Sequence, residues 1–223
     1  ELDMNKILII LSFSLLASCS VKDIPLSDLV ERQGVVYEIN STIPFTGSSV
    51  SYHKNGQLKQ KGNFVDGISD GLYEKYHENG QLAKKGNFKD GTENGLQEEY
   101  HENGQLAKKG NFKDGTENGL QEEYHYNGQL KSKKHWKDGK QDGLWEFYHE
   151  NGQLSSKTNY KDGKNSDGFK EIYHENGQLK SKMPVMHEKV TGRWEEYREN
   201  GELRFVVCYK NGKEINDSDC EHP

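Results

Sequence analysis

Six histidines recur at a nearly fixed interval along the chain, and histidine is the commonest metal ligand in proteins. A zinc site needs its ligand nitrogens about 2.1 Å from one ion. Equivalent residues in successive hairpins would instead lie two strands apart, about 9–10 Å at ~4.8 Å per strand. The interval therefore favours a structural role beside turns, and we expect no metal site. The six are His53, His77, His101, His125, His149 and His174.

Six glutamates recur with the same interval, and paired carboxylates could act as a general acid and base. Such pairs lie roughly 5–10 Å apart in distinct environments, whereas identical repeats give identical environments. We expect cross-strand pairing instead, with lysines such as Lys84 or Lys108 on the same face. Because no catalytic nucleophile stands out either, the sequence predicts a protein that is not an enzyme and needs no cofactor. The glutamates are Glu74, Glu98, Glu122, Glu146, Glu171 and Glu195.

Cys19 ends a segment in which a positive charge, an apolar run and small residues follow one another as in a secretory signal peptide. Lys6 precedes an apolar run from Ile7 to Leu16, which is too short to span a bilayer. The residues Leu16 to Cys19 resemble the lipobox of bacterial lipoproteins, which implies acylation of Cys19 and a membrane-anchored protein at the cell envelope. With Ser20 after the cysteine, the resemblance implies the outer membrane if the host has two membranes. The alternative is an ordinary cleaved signal that happens to contain a cysteine.

The other two cysteines, Cys208 and Cys220, stand close together near the C-terminal end of the sequence. In an oxidising compartment they could form a disulfide, whose short loop would contribute roughly 2–3 kcal/mol. The alternative is a pair of free thiols. We predict the disulfide.

The elements that must position these residues are set by one repeated unit, Tyr-His-x-Asn-Gly-Gln-Leu. The step between its tyrosines is 24 residues five times and 25 residues once. A short fixed period indicates stacked supersecondary units, because one unit cannot bury its apolar face without its neighbours. The tyrosines are Tyr52, Tyr76, Tyr100, Tyr124, Tyr148, Tyr173 and Tyr197.

Each unit is predicted to be a β-hairpin. In the fifth, residues 143–149 and 154–160 are alternating strands, and Asn151-Gly152 is the tight turn, for which a primed turn requires positive φ at both residues. Asp162-Gly163 then turns the chain into the next unit. The sequence therefore predicts an all-β fold, a single-layer, twisted antiparallel meander of about seven 24-residue hairpins.

Parity along the strands predicts which side chains share a face. Leu, Glu and Tyr of the first strand share one face, and Leu154, Ser156, Thr158 and Tyr160 share a face of the return strand. We expect these to stack into a thin apolar stripe. The opposite face varies between repeats, which is typical of a binding surface in repeat proteins. Its candidate partner-binding residues are Trp145, Phe147, Trp194 and Tyr73, with Trp136 as a further candidate.

The alternative for these aromatic residues is packing on a neighbouring loop or on a terminal segment. Composition supports an extended repeat protein, with 31% apolar and 30% charged residues. The net charge of −6 argues against nucleic acid and anionic lipid as the main partner. We divide the chain into a signal peptide (1–18), a tether (19–33), an N-terminal cap (34–46), hairpin repeats (47–212) and a C-terminal tail (213–223).

The hairpins resemble the MORN-repeat variant. The Asn-Gly-Gln-Leu and Lys-Asp-Gly-x-x-x-Gly-Leu segments also look like the YwqK-type antitoxin family, over roughly Gly47 to Gly212. The resemblance implies an antiparallel β-meander that binds a protein, such as a toxin. The lipobox departs from that family and does not fit neutralisation of a cytoplasmic toxin. We therefore expect an antitoxin-like or immunity-like lipoprotein that binds a protein partner at the envelope. The alternative is a structural envelope lipoprotein that contacts lipid head groups or cell-wall glycan.

Overall fold

Consecutive hairpins join edge to edge into one open sheet in the computed structural model, which describes residues 23–216 and residue 220. This confirms the predicted all-β meander. The strands are β1 (Ile24–Pro25), β2 (Leu29–Arg32), β3 (Val35–Glu38), β4 (Gly47–Tyr52), β5 (Leu58–Val65), β6 (Ile68–Ser69), β7 (Gly71–Tyr76), β8 (Leu82–Lys89), β9 (Thr92–Tyr100), β10 (Leu106–Lys113), β11 (Thr116–Tyr124), β12 (Leu130–Lys137), β13 (Lys140–Tyr148), β14 (Leu154–Lys161), β15 (Lys164–Asn165), β16 (Gly168–Tyr173), β17 (Leu179–Met186), β18 (Lys189–Val190), β19 (Gly192–Tyr197), β20 (Leu203–Lys210) and β21 (Lys213–Ile215).

Strand order follows the chain. From β4 to β21 all pairings are antiparallel and follow the order of the chain. The short strands β6, β15 and β18 pair only with the strand before them, and β5, β14 and β17 also pair with β7, β16 and β19. β1 is the exception, since it lies parallel to β4 at the first edge of the sheet. β2 and β3 form a separate two-stranded hairpin. All contacts that hold a repeat are therefore made with the repeats before and after it.

The Asp-Gly turns are two-residue hairpin loops. Asp66 and Gly67 both have positive φ, 48° and 77°, and they connect the paired residues Val65 and Ile68. Two central residues with positive φ define the primed turn whose twist matches that of antiparallel strands. This turn therefore lies at Asp-Gly, where an Asp tolerates the left-handed region better than most residues.

The Asn-Gly turns have a different geometry, so the primed turn predicted for them is wrong. Gly56 has a φ of 85°, whereas Asn55 is outside the positive-φ region. The His53 N–H donates to the carbonyl of Gln57 at 2.8 Å, and the Gly56 N–H donates to the carbonyl of His53 at 2.9 Å. This is a three-residue loop that ends in a left-handed glycine, a geometry that introduces a bulge into the hairpin.

The bulge changes which residues share a face. In the fifth repeat Tyr148 is opposite Leu154, but Phe147 is opposite Ser156, so one extra residue stands on the return strand. The predicted common face of Leu154 and Tyr160 is therefore wrong, because a one-residue shift reverses every side chain beyond it. We call the face that bears Glu146 and Tyr148 the constant face and the face that bears Trp145 and Phe147 the variable face. Tyr160 lies on the variable face.

The N-terminal segment covers the first repeats. A short 3-10 helix (Leu26–Asp28) follows β1, and the Val36 N–H donates to the carbonyl of Gly67 at 2.9 Å. Asp23 forms an ion pair with Lys61 at 2.9 Å. The predicted tether, which ran to residue 33, is therefore folded from residue 23 onward.

A disulfide lies at the C-terminal end of the sheet. Cys208 in β20 is bonded to Cys220, with the two Cα atoms 5.6 Å apart. Both cysteines are buried. The disulfide thereby links Cys220 to the last full strand of the sheet.

Candidate partner-binding surface

The constant face carries a row of alternating lysine and glutamate that crosses the sheet. Directly opposite residues carry opposite charge at every step, which favours this strand register. Within the row Lys109 lies 2.7 Å from Glu122, and Lys157 lies 2.6 Å from Glu171. The row is Lys61, Glu74, Lys85, Glu98, Lys109, Glu122, Lys133, Glu146, Lys157, Glu171, Lys182 and Glu195.

The sequence predicted that Lys84 or Lys108 would share a face with the repeated glutamates, and that prediction is wrong. Lys84 and Lys108 are opposite Glu99 and Glu123 on the variable face. The glutamate row is paired with the lysines one residue later, because the bulge after each Asn-Gly turn shifts the register by one residue.

The repeat tyrosines bind the same glutamates. The Tyr124 hydroxyl donates to the Glu122 carboxylate at 3.0 Å. Burial raises the pKa of Tyr124, and the bond to the carboxylate adds to the increase. Burial alone would raise the pKa of Glu122, but hydrogen bonds from Lys109 and Tyr124 outweigh it, so that the pKa is lowered. Glu122 is therefore a paired, ionised carboxylate without the raised pKa that a general acid requires.

The histidines join successive repeats. The Nε2–H of His101 donates to the carbonyl oxygen of Tyr124 in the next repeat at 3.1 Å. A carbonyl can only accept, so this contact assigns the proton to Nε2. The other five make the same contact at 2.9 to 3.2 Å. Within residues 23–216 and 220 no cluster of three or more His, Cys, Asp or Glu could hold a metal ion.

On the variable face, the first strands of the third and fourth repeats carry polar residues at the positions of Trp145 and Phe147. Gly86 is opposite Gln97, and the Gln97 side chain is 5% exposed. Its Nε2–H donates to the carbonyl of Asn87 at 2.8 Å. Glycine at this position leaves the space that the amide fills. Charged pairs flank it, with Lys84 2.7 Å from Glu93.

In the fifth repeat the first strand carries aromatic residues on this face, Trp145 and Phe147. The Trp145 ring centroid lies 5.1 Å from that of Trp136 and 5.0 Å from that of Tyr160, and its Nε1–H donates to the carbonyl of His135 at 3.1 Å. Trp145 is only 8% exposed. The sequence proposed it as an exposed anchor for a partner, but it is packed within the sheet because the variable face is the more buried one.

Phe147 and Trp194 remain half-buried on the same face. Phe147 lies between Ser132 and Ser156. Trp194 donates from Nε1 to the hydroxyl of Ser181 at 2.7 Å and packs at right angles on a ring of the last repeat. Small residues beside each ring leave part of the ring accessible to a partner.

Two residues of this surface were not identified as site residues from the sequence. Ile172 lies between Ser156 and Ser181 in the row of Phe147, and Phe205 contacts Trp194 with ring centroids 5.7 Å apart. Ile172 occupies the same first-strand position as Phe147, so comparison of the repeats could have found it. Phe205 lies on a return strand, whose register could be found only after allowing for the bulge. We define the apolar patch as Phe147, Ile172, Trp194 and Phe205.

Tyr73 does not belong to this patch. It lies in β7, six strands before Trp145, or about 29 Å along the sheet at ~4.8 Å per strand. Its ring packs edge to face on Phe88, with centroids 5.8 Å apart. Together with Leu26 and Leu29 these rings line a cavity of about 680 Å³ beneath the N-terminal segment.

Two further features bear on the membrane. Cys19 lies outside the residues that the structure describes. Within the part of the chain that it does describe, no helix has the length and apolar character needed to cross a bilayer.

An open sheet of stacked hairpins, with one constant face and one variable face, defines a β-repeat protein. The chain belongs to the MORN repeat variant family. Its family model matches seven segments, residues 45–66, 69–90, 93–114, 117–138, 141–162, 170–186 and 190–211. No curated protein matches the chain.

Proposed function

We propose that this protein is a lipid-anchored, non-enzymatic repeat protein that binds another protein at the cell envelope through the apolar patch. One observation carries the proposal. The residue before each repeat tyrosine is charged in the second to fourth repeats, Lys75, Glu99 and Glu123, but apolar in the next two, Phe147 and Ile172.

The fold itself does not require this change. Glu123 and Phe147 stand on either side of Ser132 on the same face, in strands of the same length. Since the frame accepts a carboxylate at this position, the fold does not require a half-buried apolar residue there. Clustered apolar residues on a repeated frame are typical of a protein interface.

The surroundings of the patch define the chemistry of the partner. The Lys134 ammonium lies 5.7 Å from the ring of Phe147 and 2.6 Å from the Glu123 carboxylate. At the other end Arg204 lies 2.8 Å from Glu196. An apolar centre with charged pairs at its rim suits a folded protein that presents apolar side chains.

The antitoxin-like or immunity-like role rests on the resemblance to the YwqK-type family. The envelope location rests on the resemblance of Leu16 to Cys19 to a lipobox. The proposed sequence of events is export, acylation of Cys19 and capture of a protein partner by the variable face. No reaction is assigned to the protein in this proposal.

The test is a mild crosslink and pull-down from native membranes with a Phe147→Glu, Ile172→Glu double variant. These substitutions place the glutamate of earlier repeats at matching positions, so the fold should tolerate them. Leu120→Ser is the matched control, since Leu120 is 38% exposed on the constant face. We expect one stoichiometric protein with the wild type and with the control, and none with the double variant.

Recovery of only lipid or glycan, unchanged in the double variant, would contradict the proposal and favour the structural envelope lipoprotein. The anchor is tested separately with Cys19→Ser. We expect that variant to move from the membrane to the soluble fraction, whereas washing with high salt should not release the wild type, because acyl insertion is not screened by ions. A Cys19→Ser protein that stays with the membrane would contradict the lipid anchor.

A further inference from the structure

Seven Asn-Gly turns of nearly identical sequence and geometry lie in a row at one end of the strands. The last turn differs from the other six in one hydrogen bond. In the first six, the asparagine Nδ2–H donates to a backbone carbonyl in the turn of the next repeat. The distances are 2.7 to 3.0 Å. The six are Asn55, Asn79, Asn103, Asn127, Asn151 and Asn176.

Asn200, in the last of these turns, has no such neighbouring carbonyl among the described residues. Its Nδ2–H donates instead to the carboxylate of Glu202 in its own turn, at 3.0 Å. Its other contacts match those of the six. The Asn200 Oδ1 accepts from the N–H of Glu202 at 3.1 Å, and the Gly201 N–H donates to the carbonyl of Arg198 at 2.9 Å.

We propose that Asn200 is the preferred site of spontaneous deamidation among these seven turns. In this reaction the Gly201 backbone nitrogen attacks Cγ of Asn200, a nitrogen–carbon bond forms, and the Cγ–Nδ2 bond breaks. The proton from the Gly201 nitrogen leaves with Nδ2 as ammonia. Water then opens the cyclic imide to aspartate or isoaspartate, with no oxidant or reductant involved.

The difference between the turns lies in how firmly the side-chain amide is held. The side-chain amide of each asparagine must break its hydrogen bonds before Cγ can approach the glycine nitrogen. In the inner six, one bond is made to a fixed backbone carbonyl of the neighbouring repeat. The Glu202 side chain is exposed and has rotatable bonds of its own, so its carboxylate can follow the Asn200 amide and restrains it less than a fixed carbonyl does. All seven asparagines are exposed, and solvent access therefore does not distinguish them.

The product alters the last repeat alone. Deamidation adds a negative charge beside Glu199 and Glu202, and isoaspartate lengthens the backbone within the turn. At an inner turn the same change would replace an amide donor by a carboxylate facing a carbonyl oxygen, which would separate two repeats. The inter-repeat amide bonds therefore protect the contacts between repeats, and deamidation begins in the last of the seven turns.

The test is peptide mapping by mass spectrometry of the folded full chain during incubation at mildly alkaline pH. We expect Asn200 to react faster than the mean of the other six, by up to about fivefold, the factor for one net hydrogen bond, which is reached when the Glu202 side chain follows the amide without restraining it. The same chain in urea is the control, because unfolding removes the inter-repeat bonds and should make the seven rates nearly equal. Asn200→Ser confirms the assignment of the modified peptide.

Glu202→Gln tests whether a faster rate at Asn200 comes from the lack of an inter-repeat bond or from the nearby carboxylate. The six inner turns already carry glutamine at this position. We expect Asn200 to remain the fastest site in this variant. Folded-state rates that are equal across the seven turns, after division by the rates in urea, would overturn the proposal. So would a fall of Asn200 to the inner rate in Glu202→Gln. Three other asparagines precede glycine in a different backbone geometry. Asn94 and Asn118 lie within β9 and β11, and Asn211 has a φ of 53°.

Discussion

Gly86 and Gln97 face each other across adjacent strands, and the Gln97 amide occupies the space where a Cβ of residue 86 would stand. The same repeat position in the preceding hairpin, Gly62, has its nearest neighbour, Tyr73, at an ordinary contact distance of 3.4 Å from such a Cβ. One glycine is therefore required by its neighbour, and the other has room for a methyl group.

Gly86→Ala should reduce the free energy of unfolding by about 1–2 kcal/mol, because the Gln97 amide must move and lose its bond to Asn87. Gly62→Ala is the matched control and should change it by less than about 0.5 kcal/mol. Urea unfolding followed by circular dichroism measures both. Equal losses in the two variants would show that the close approach of Gln97 does not matter.

The Asp-Gly turns depend on a left-handed aspartate. Asp114 has a φ of 49°, a conformation that a β-branched residue adopts only at a cost of about 1–2 kcal/mol. Asp114→Val should lower the free energy of unfolding by that amount, whereas Asp114→Asn should leave it nearly unchanged. Urea unfolding of the two variants compares them directly, and a tolerated valine would contradict the primed turn.

Stability should fall on the acid side because of Glu122 and Glu171, whose pKa values are lowered from the ordinary 4.5. In both, burial opposes the change, and the bonds from a lysine and a tyrosine outweigh it. A carboxyl with a lower pKa in the folded chain stabilises the fold above its unfolded pKa. This contribution is lost as the pH falls through the folded pKa.

Urea midpoints measured from about pH 6 down to about pH 3 should therefore decrease, and the decrease should be smaller in a Glu122→Gln, Glu171→Gln double variant. The double variant is also expected to be less stable than the wild type near neutral pH, where the paired carboxylates contribute. An unchanged slope in the double variant would assign the acid sensitivity to other groups.

Removal of one complete repeat should leave the fold intact. β8 and β10 have the same sequence, as do β9 and β11, so deletion of residues 106–129 recreates an existing interface. The deletion removes 24 of 223 residues, and the urea m-value should fall by roughly a tenth, in proportion to the surface exposed on unfolding. A non-cooperative transition in the shortened chain would contradict nearest-neighbour stacking.

The disulfide should contribute about 2–3 kcal/mol through closure of a short loop. Cys208→Ser with Cys220→Ser should lower the free energy of unfolding by that amount, with the loss concentrated in the last hairpin. A reducing agent should destabilise the wild type equally and leave the double variant unchanged. A wild type that is insensitive to the reducing agent would contradict this stabilising role.

The sequence alone predicted the class of fold, because a fixed period and a repeated hairpin signal are local properties. The alternation of Leu, Glu and Tyr also placed these residues on one face of the first strand. These predictions needed no knowledge of which residues meet across strands. The family match confirms the repeats themselves.

Only the tertiary structure decided which face is buried and which residues form the candidate surface. One extra residue stands on the return strand after each loop that ends in a left-handed glycine. In the fifth repeat this bulge places Tyr160 beside Trp145, and the equivalent bulge in β10 places Lys109 opposite Glu122. Periodicity gives the spacing of residues along a strand, whereas the register between strands depends on turn geometry. For that reason the sequence determined the repeated frame, and the fold decided that Trp145 is buried while Phe147 stays accessible.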